Sequence, residues 1–152
     1  MDQIILPAIA ELKNIYSKGG ESLVPAFERQ LATIAQVNDP AVIGQLLTLL
    51  DDGAEYDELM FSLIHTIEQF NDDDYVSQII RALPKQWKAT PKWLQVIHVR
   101  IINSESTMEC YVSTIAKASE EIKGVSREVF RAVADRWASK REKALQAVAR
   151  IA

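Results

Sequence analysis

The chain has 152 residues, of which 48% are apolar, and a formal net charge of −4, so a single domain with a real hydrophobic core is expected rather than a disordered tail. Five Gly and five Pro argue against a strand-and-turn architecture, and a single Cys, Cys110, excludes an internal disulfide framework and fits a reducing compartment. No apolar run reaches the roughly 18–20 residues that span a bilayer, and the amino end lacks a positive n-region and a small-residue cleavage site, so a soluble, cytoplasmic protein without a signal peptide is expected.

Asp2 can cap a first helix running to about residue 17, with Ile4, Ile5, Ala8, Ile9, Leu12 and Ile15 as its apolar stripe and Pro7 in its first turn or marking its start. Gly19-Gly20 supplies the positive φ that ends it. Ser22 opens a second helix (Leu23, Phe27, Leu31, Ile34) that stops before Asn38. Asp39-Pro40 pairs an N-cap with proline at the first helical position and starts a third helix, closed by Asp51-Asp52-Gly53. A fourth begins near Glu55, with an acidic first turn suited to the helix dipole, and ends at Phe70-Asn71. Asp72, Asp73 and Asp74 open a fifth, with Val76, Ile79, Ile80 and Leu83 inward. Thr90-Pro91 starts a sixth over Trp93, Leu94, Ile97 and Ile101, and Ser104 or Ser106 caps a seventh through Tyr111 and Ile115, with Gly124 as its breaker. Ser126 is expected to begin one long last helix carrying Val129, Phe130, Val133, Trp137, Leu145 and Val148. No segment alternates with period two for long enough to form a strand. The fold class is all-α, with about eight helices.

A shift of 33 residues takes Asp39, Ile43, Leu46, Leu47 and Leu50 onto Asp72, Val76, Ile79, Ile80 and Leu83, and a shift of 34 takes Leu59, Leu63 and Ile67 onto Trp93, Ile97 and Ile101. Two equivalent helix pairs suggest a short HEAT-like α-solenoid stack, the alternative being an irregular helical bundle.

Charge divides the chain. Residues 1–80 hold fourteen acidic and three basic side chains, and residues 81–152 hold seven acidic and fourteen basic. From residue 30 to residue 80 there is no Lys or Arg at all. Caps explain some of these carboxylates, but not the absence of every cation, because uncompensated charge of one sign repels itself. A gain elsewhere, fast association with a basic partner, accounts for it.

Catalytic signatures are missing. His65 and His98 lie in apolar helical runs, belong to no His-Glu-x-x-His or paired Glu-x-x-His pattern, and read as buried or half-buried structural residues. Cys110 reads as packing, no Gly-rich phosphate loop or Gly-x-Ser-x-Gly is present, and the carboxylates sit at helix starts and turns rather than as tuned pairs. No enzyme activity, cofactor or metal is expected. Trp87 and Trp93 flank the basic turn at residues 85–92 and read as helix-junction packing.

The run LLTLLDDGAEYDELMFSLIHTIEQFNDDDYVSQIIRALPKQW, followed by PKWLQVIHVRIINSES, resembles the immunity protein 30 family. The features are Asp51-Asp52 before Glu55-Tyr56-Asp57-Glu58, then Met60-Phe61-Ser62, Ile64-His65, Ile67-Glu68 and Phe70, residues 72–76, and Asn103-Ser104-Glu105-Ser106. It covers about residues 40–112. Members stand beside toxins in bacterial polymorphic-toxin and contact-dependent growth inhibition systems. The resemblance implies an all-helical, non-enzymatic antidote that binds and neutralises a cognate toxin domain, and leaves the toxin's type open. The acidic half adds the expectation of a basic toxin, an RNase. The expected contact surface comprises Asp51, Asp52, Glu55, Asp57 and Glu58 with Asp72, Asp73 and Asp74, and has Tyr56 and Tyr75 as rim anchors, while Ile64, His65, Ile67 and Phe70 read as core. The last helix is a candidate surface for homodimerisation. Two other readings stay open: a HEAT-like adaptor without a toxin partner, and an RNA-associated protein using residues 81–152.

Overall fold

The computed structural model describes residues 3–151. Asp2 lies outside them. Among the described residues there are nine α-helices, one short 3-10 turn and no strand. The packing divides the chain into two compact units, Met1–Asn71 and Asp72–Ala152. The sequence gives the first a net charge of −8 and the second +4. Among the described residues no helix is long and apolar enough to cross a membrane.

The first unit holds α1 (Ile5–Lys18), α2 (Leu23–Ala35), α3 (Ala41–Leu47) and α4 (Asp57–Ile67). Pro7 falls in the first turn of α1, where its missing N–H has no intrahelical partner to lose. Ile5, Ile9 and Leu12 are buried, whereas Ile4, expected on that stripe, precedes the helix and is exposed. Gly19 and Gly20 end α1 with φ of 60° and 88°, values that L side chains avoid. In α2 the four expected residues, Leu23, Phe27, Leu31 and Ile34, are all buried. The Asp39 side chain accepts the Ala41 N–H at 2.9 Å, an N-terminal cap to α3 contributing about 1 kcal/mol. α3 is shorter than expected, because Thr48, Leu49 and Leu50 bond to carbonyls three residues back and tighten the last turn. Leu49 and Leu50 stay buried. α4 begins at Asp57, two residues later than expected, after an extended Tyr56.

The second unit holds α5 (Asp72–Ala89), α6 (Pro91–Ile102), α7 (Glu105–Ile115), α8 (Glu120–Arg136), a 3-10 turn at Ala138–Lys140, and α9 (Arg141–Arg150). Pro91 takes the first position of α6, as expected, but the Thr90 hydroxyl accepts from the Gln86 side chain instead of capping the helix. All seven pairs of apolar positions related by the 33- and 34-residue shifts are buried at both members. The corresponding helices differ in length, however: α3 has 7 residues and α5 has 18.

Four expectations for the carboxyl end are corrected. Gly124 does not end α7, which stops at Ile115; it lies inside α8, whose true cap is Ser119, accepting the Ile122 N–H at 3.3 Å. Ser126 starts nothing. It is fully buried within α8, with its hydroxyl committed to Tyr111 at 2.7 Å. The long last helix is also two helices, broken at an extended Trp137 whose ring lies under the Arg136 guanidinium at 4.8 Å. A straight continuation would carry Ala144, Ala147 and Ile151 away from the core. Folding back buries all three, and their small or terminal side chains let α9 lie close to α8. Arg127 donates to the Ile151 carbonyl at 3.0 Å and fastens the returning end. Leu145, expected on the apolar stripe, is exposed by the new register.

Candidate partner-binding surface

The acidic loop between α3 and α4 is built around Asp51. Its Oδ1 accepts the Gly53 N–H at 2.9 Å, its carbonyl accepts the Ala54 N–H at 3.1 Å, and its Oδ2 accepts the Tyr16 hydroxyl at 2.8 Å. Its own N–H reaches the Met60 sulfur at 3.2 Å. Burial, then the hydrogen bond to Asp51 and its charge, push the Tyr16 phenol up to about 12. Asp51 is therefore an organiser, half-buried, that ties the loop to α1. Asp52 is half-buried too. What the loop presents outward is Glu55 and Tyr56, continued by Asp57 and Glu58 in the first turn of α4, all four exposed. There the positive end of the helix dipole favours carboxylates. Beside this row an open groove of about 350 Å³ is lined by Tyr16, Ser17, Gly19, Leu23, Glu55 and Tyr56.

The second acidic group, considered within its own unit, is used differently. Asp72 Oδ1 accepts the Thr107 hydroxyl at 2.8 Å, and Thr107 also meets the Ser104 hydroxyl at 2.9 Å. Asp73 Oδ1 accepts the Cys110 thiol at 3.3 Å. Burial and then that bond push the thiol's pKa up, which keeps it protonated and unreactive. Asp72 and Asp73 thus seat α7 on α5, while Asp74 is half-buried. Tyr75 is not a rim aromatic: it is 4% exposed, because it shares the inward face of α5 with Val76 and Ile79.

The two histidines also separate. His65 is exposed, not core, with its ring 6.4 Å from that of Phe61. His98 is fully buried. Its Nδ1 lies 2.8 Å from the Leu94 carbonyl, an acceptor, so Nδ1 carries the proton. Nε2 then accepts from the Tyr111 hydroxyl at 3.0 Å, and that oxygen accepts from Ser126. Phe130 meets both rings edge-on, at 5.0 and 5.5 Å. Burial lowers His98 to about 4, against a smaller opposing effect of the Leu94 bond. This is a satisfied polar bolt joining α6, α7 and α8, closed to any substrate. Among the described residues no group of three or more His, Cys, Asp or Glu is placed to hold a metal ion.

A further groove of about 390 Å³ lies in the second unit, where α9 passes the α6–α7 turn. Charges of both signs line it. Arg150 meets Glu109 at 2.7 Å, and nearby Lys140 donates to the Asn103 side-chain carbonyl at 2.8 Å. Sequence reasoning missed the wall that α1 contributes to the first groove. Tyr16 was the available signal, a hydrogen-bonding aromatic following an apolar stripe.

No curated protein and no solved structure matches the chain. The profile of the family described as immunity protein 30 matches residues 19–111, more than half of the sequence. The match begins well before the 40–112 stretch that carried the resemblance, so α2 falls inside it, and it takes in all ten candidate contact residues. The chain belongs to the immunity protein 30 family, and that membership implies a toxin as its partner.

Proposed function

We propose that the protein binds the C-terminal toxin domain of a cognate contact-dependent growth inhibition effector, and so protects the cytoplasm of the cell that makes it. The toxin is a nuclease, an RNase in the first instance. The observation supporting this reading is the exposed row Glu55, Tyr56, Asp57 and Glu58, at the head of α4 in a unit of net charge −8. A nuclease must hold a polyanion, so the surface around its cleft is cationic. A row of carboxylates on a helix start offers that surface a phosphate-like pattern and draws it in at a raised on-rate. Inhibition then follows by plugging the cleft or by covering a neighbouring site where RNA docks. The protein does no chemistry of its own and needs no cofactor.

A second reading, RNA association, rests on Arg81, Lys85 and Lys88, exposed at i, i+4 and i+7 on α5. One experiment tests both. The purified toxin domain encoded immediately upstream is incubated with cellular RNA, with and without the protein. Cleavage abolished at equal stoichiometry, with no binding of RNA by the protein alone, is expected. A toxin that leaves RNA and DNA intact overturns the nuclease reading, and salt-sensitive RNA binding by the free protein favours the second.

A further inference from the structure

We infer that the groove between the end of α1 and the loop at residues 51–56 is the socket for an arginine side chain projecting from the toxin. The inference rests on the immunity reading and deepens it. The groove's volume, about 350 Å³, is at the small end for ligand sites, and suits one long side chain with its flanking backbone rather than a cofactor. Its walls are of the right kind. Two aromatic residues, Tyr16 and Tyr56, line it with Leu23, which is 7% exposed, and Glu55 supplies the charge. A planar guanidinium stacks on tyrosine and forks onto a carboxylate, which an ammonium does less well, so arginine rather than lysine is the fitting occupant.

Charge complementarity selects a basic occupant over an apolar one. The unit contains three cations in its sequence, Lys13, Lys18 and Arg29, against eleven carboxylates. Lys18 is exposed next to Ser17 but is not one of the residues that line the groove, whose charged lining residue is Glu55. Tyr56 is 39% exposed in the free protein, so stacking would cover apolar area that is now wet. Tyr16 is already fixed by its bond to Asp51 and needs no reordering on binding.

The groove also has a divided origin. Gly19, Leu23, Glu55 and Tyr56 lie within the family match at residues 19–111, while Tyr16 and Ser17 precede it. Four of the lining residues thus fall inside the family match, and Tyr16 and Ser17 lie just before it.

Two measurements test this. In the first, acetyl-arginine amide is titrated into the protein and backbone amide shifts are followed by NMR, with acetyl-norleucine amide as the uncharged control. Shifts centred on Gly19, Leu23 and Tyr56, specific to arginine and abolished in Ser17→Trp, are expected. No shifts, shifts equal for norleucine, or shifts centred on other carboxylates overturn the socket. In the second, binding of a catalytically inactive toxin domain, from the effector gene immediately upstream, is measured for wild type, Tyr56→Ala, Ser17→Trp and the distant Glu128→Lys. Losses on the order of tenfold to a hundredfold, mainly in dissociation rate, are expected for the first two variants and none for the last. Both replaced residues are exposed, so melting temperatures should stay put, and Tyr56→Ala stands alone if Ser17→Trp fails to fold. Wild-type binding with neither variant weakened overturns the socket. Failure of wild type to bind any toxin domain overturns the immunity reading instead, and the arginine titration then decides the socket by itself.

Discussion

Asp51 looks like any other carboxylate of the acidic loop, yet its bonds predict that removing it costs stability rather than association rate. Its carboxylate accepts from Tyr16 at 2.8 Å and from the Gly53 N–H at 2.9 Å. Hydrogen bonds to a charged group are each worth about 1.5–3 kcal/mol, and half-burial places these near the lower figure. Asp51→Ala should therefore cost about 2–3 kcal/mol, a large part of a typical margin of roughly 5–15 kcal/mol. Urea unfolding followed by circular dichroism reads this as a midpoint lowered by about 1 M, for a slope near 2 kcal/mol/M. A cycle with Tyr16→Phe should return a coupling of about 1 kcal/mol or more. The Tyr16 phenol supplies a second readout. Its folded value of about 12 stands above the unfolded 10, so the unfolded chain loses the proton first and stability falls as pH climbs from 10 to 12. Without Asp51 that window should narrow but not close, because burial is the larger cause. Association with the toxin should stay within about twofold of wild type, whereas Glu55→Lys with Glu58→Lys should slow it severalfold at low salt. A cost below about 0.5 kcal/mol, no coupling to Tyr16, and slowed association would together refute the assignment.

Other expectations follow from the second unit. Gly124 lies inside α8 with nothing within 4 Å of where a Cβ would stand, so Gly124→Ala should stabilise the protein by about 0.5–1 kcal/mol in the same urea assay. Tyr111→Phe leaves His98 Nε2 without its donor in a closed core and should cost about 2–4 kcal/mol. The groups that meet His98 from α7 and α8 are Tyr111 and Phe130, with Ser126 bonded to Tyr111 behind them, and none of the three is anionic, so nothing there welcomes an imidazolium. With a folded value of about 4 against 6.5 unfolded, the unfolded state takes the proton first as pH falls. Stability should drop by about 2 kcal/mol between pH 7.5 and pH 5, and this slope should be missing in His98→Gln even if that variant is weaker throughout.

What the sequence reveals here is what short-range rules govern. Asp39-Pro40, Thr90-Pro91 and Gly19-Gly20 mark helix ends because the cap, the proline ring and the positive φ act within a few residues. The all-helical class follows from apolar spacing alone. Ser119, with acidic residues after it, carried the same kind of signal, but Gly124 was the more conspicuous feature and misplaced the start of α8. The break at Trp137 has no glycine or proline to announce it; it exists because Ala144, Ala147 and Ile151 find burial against α8. The acidic residues show the limit most clearly. Asp51, Asp72 and Asp73 differ from Glu55 and Glu58 through partners 35 to 37 positions away, Tyr16, Thr107 and Cys110, which no local pattern encodes. Tyr75 was readable, since it precedes Ile79 by one helical turn.

That this chain is the antidote to a neighbouring toxin is tested by co-expression with the toxic domain encoded immediately upstream, scoring growth and recovery of a complex from the same cells. Restored growth and a complex that survives purification are expected. Cells that still die while soluble protein accumulates, with no complex recovered, would contradict it.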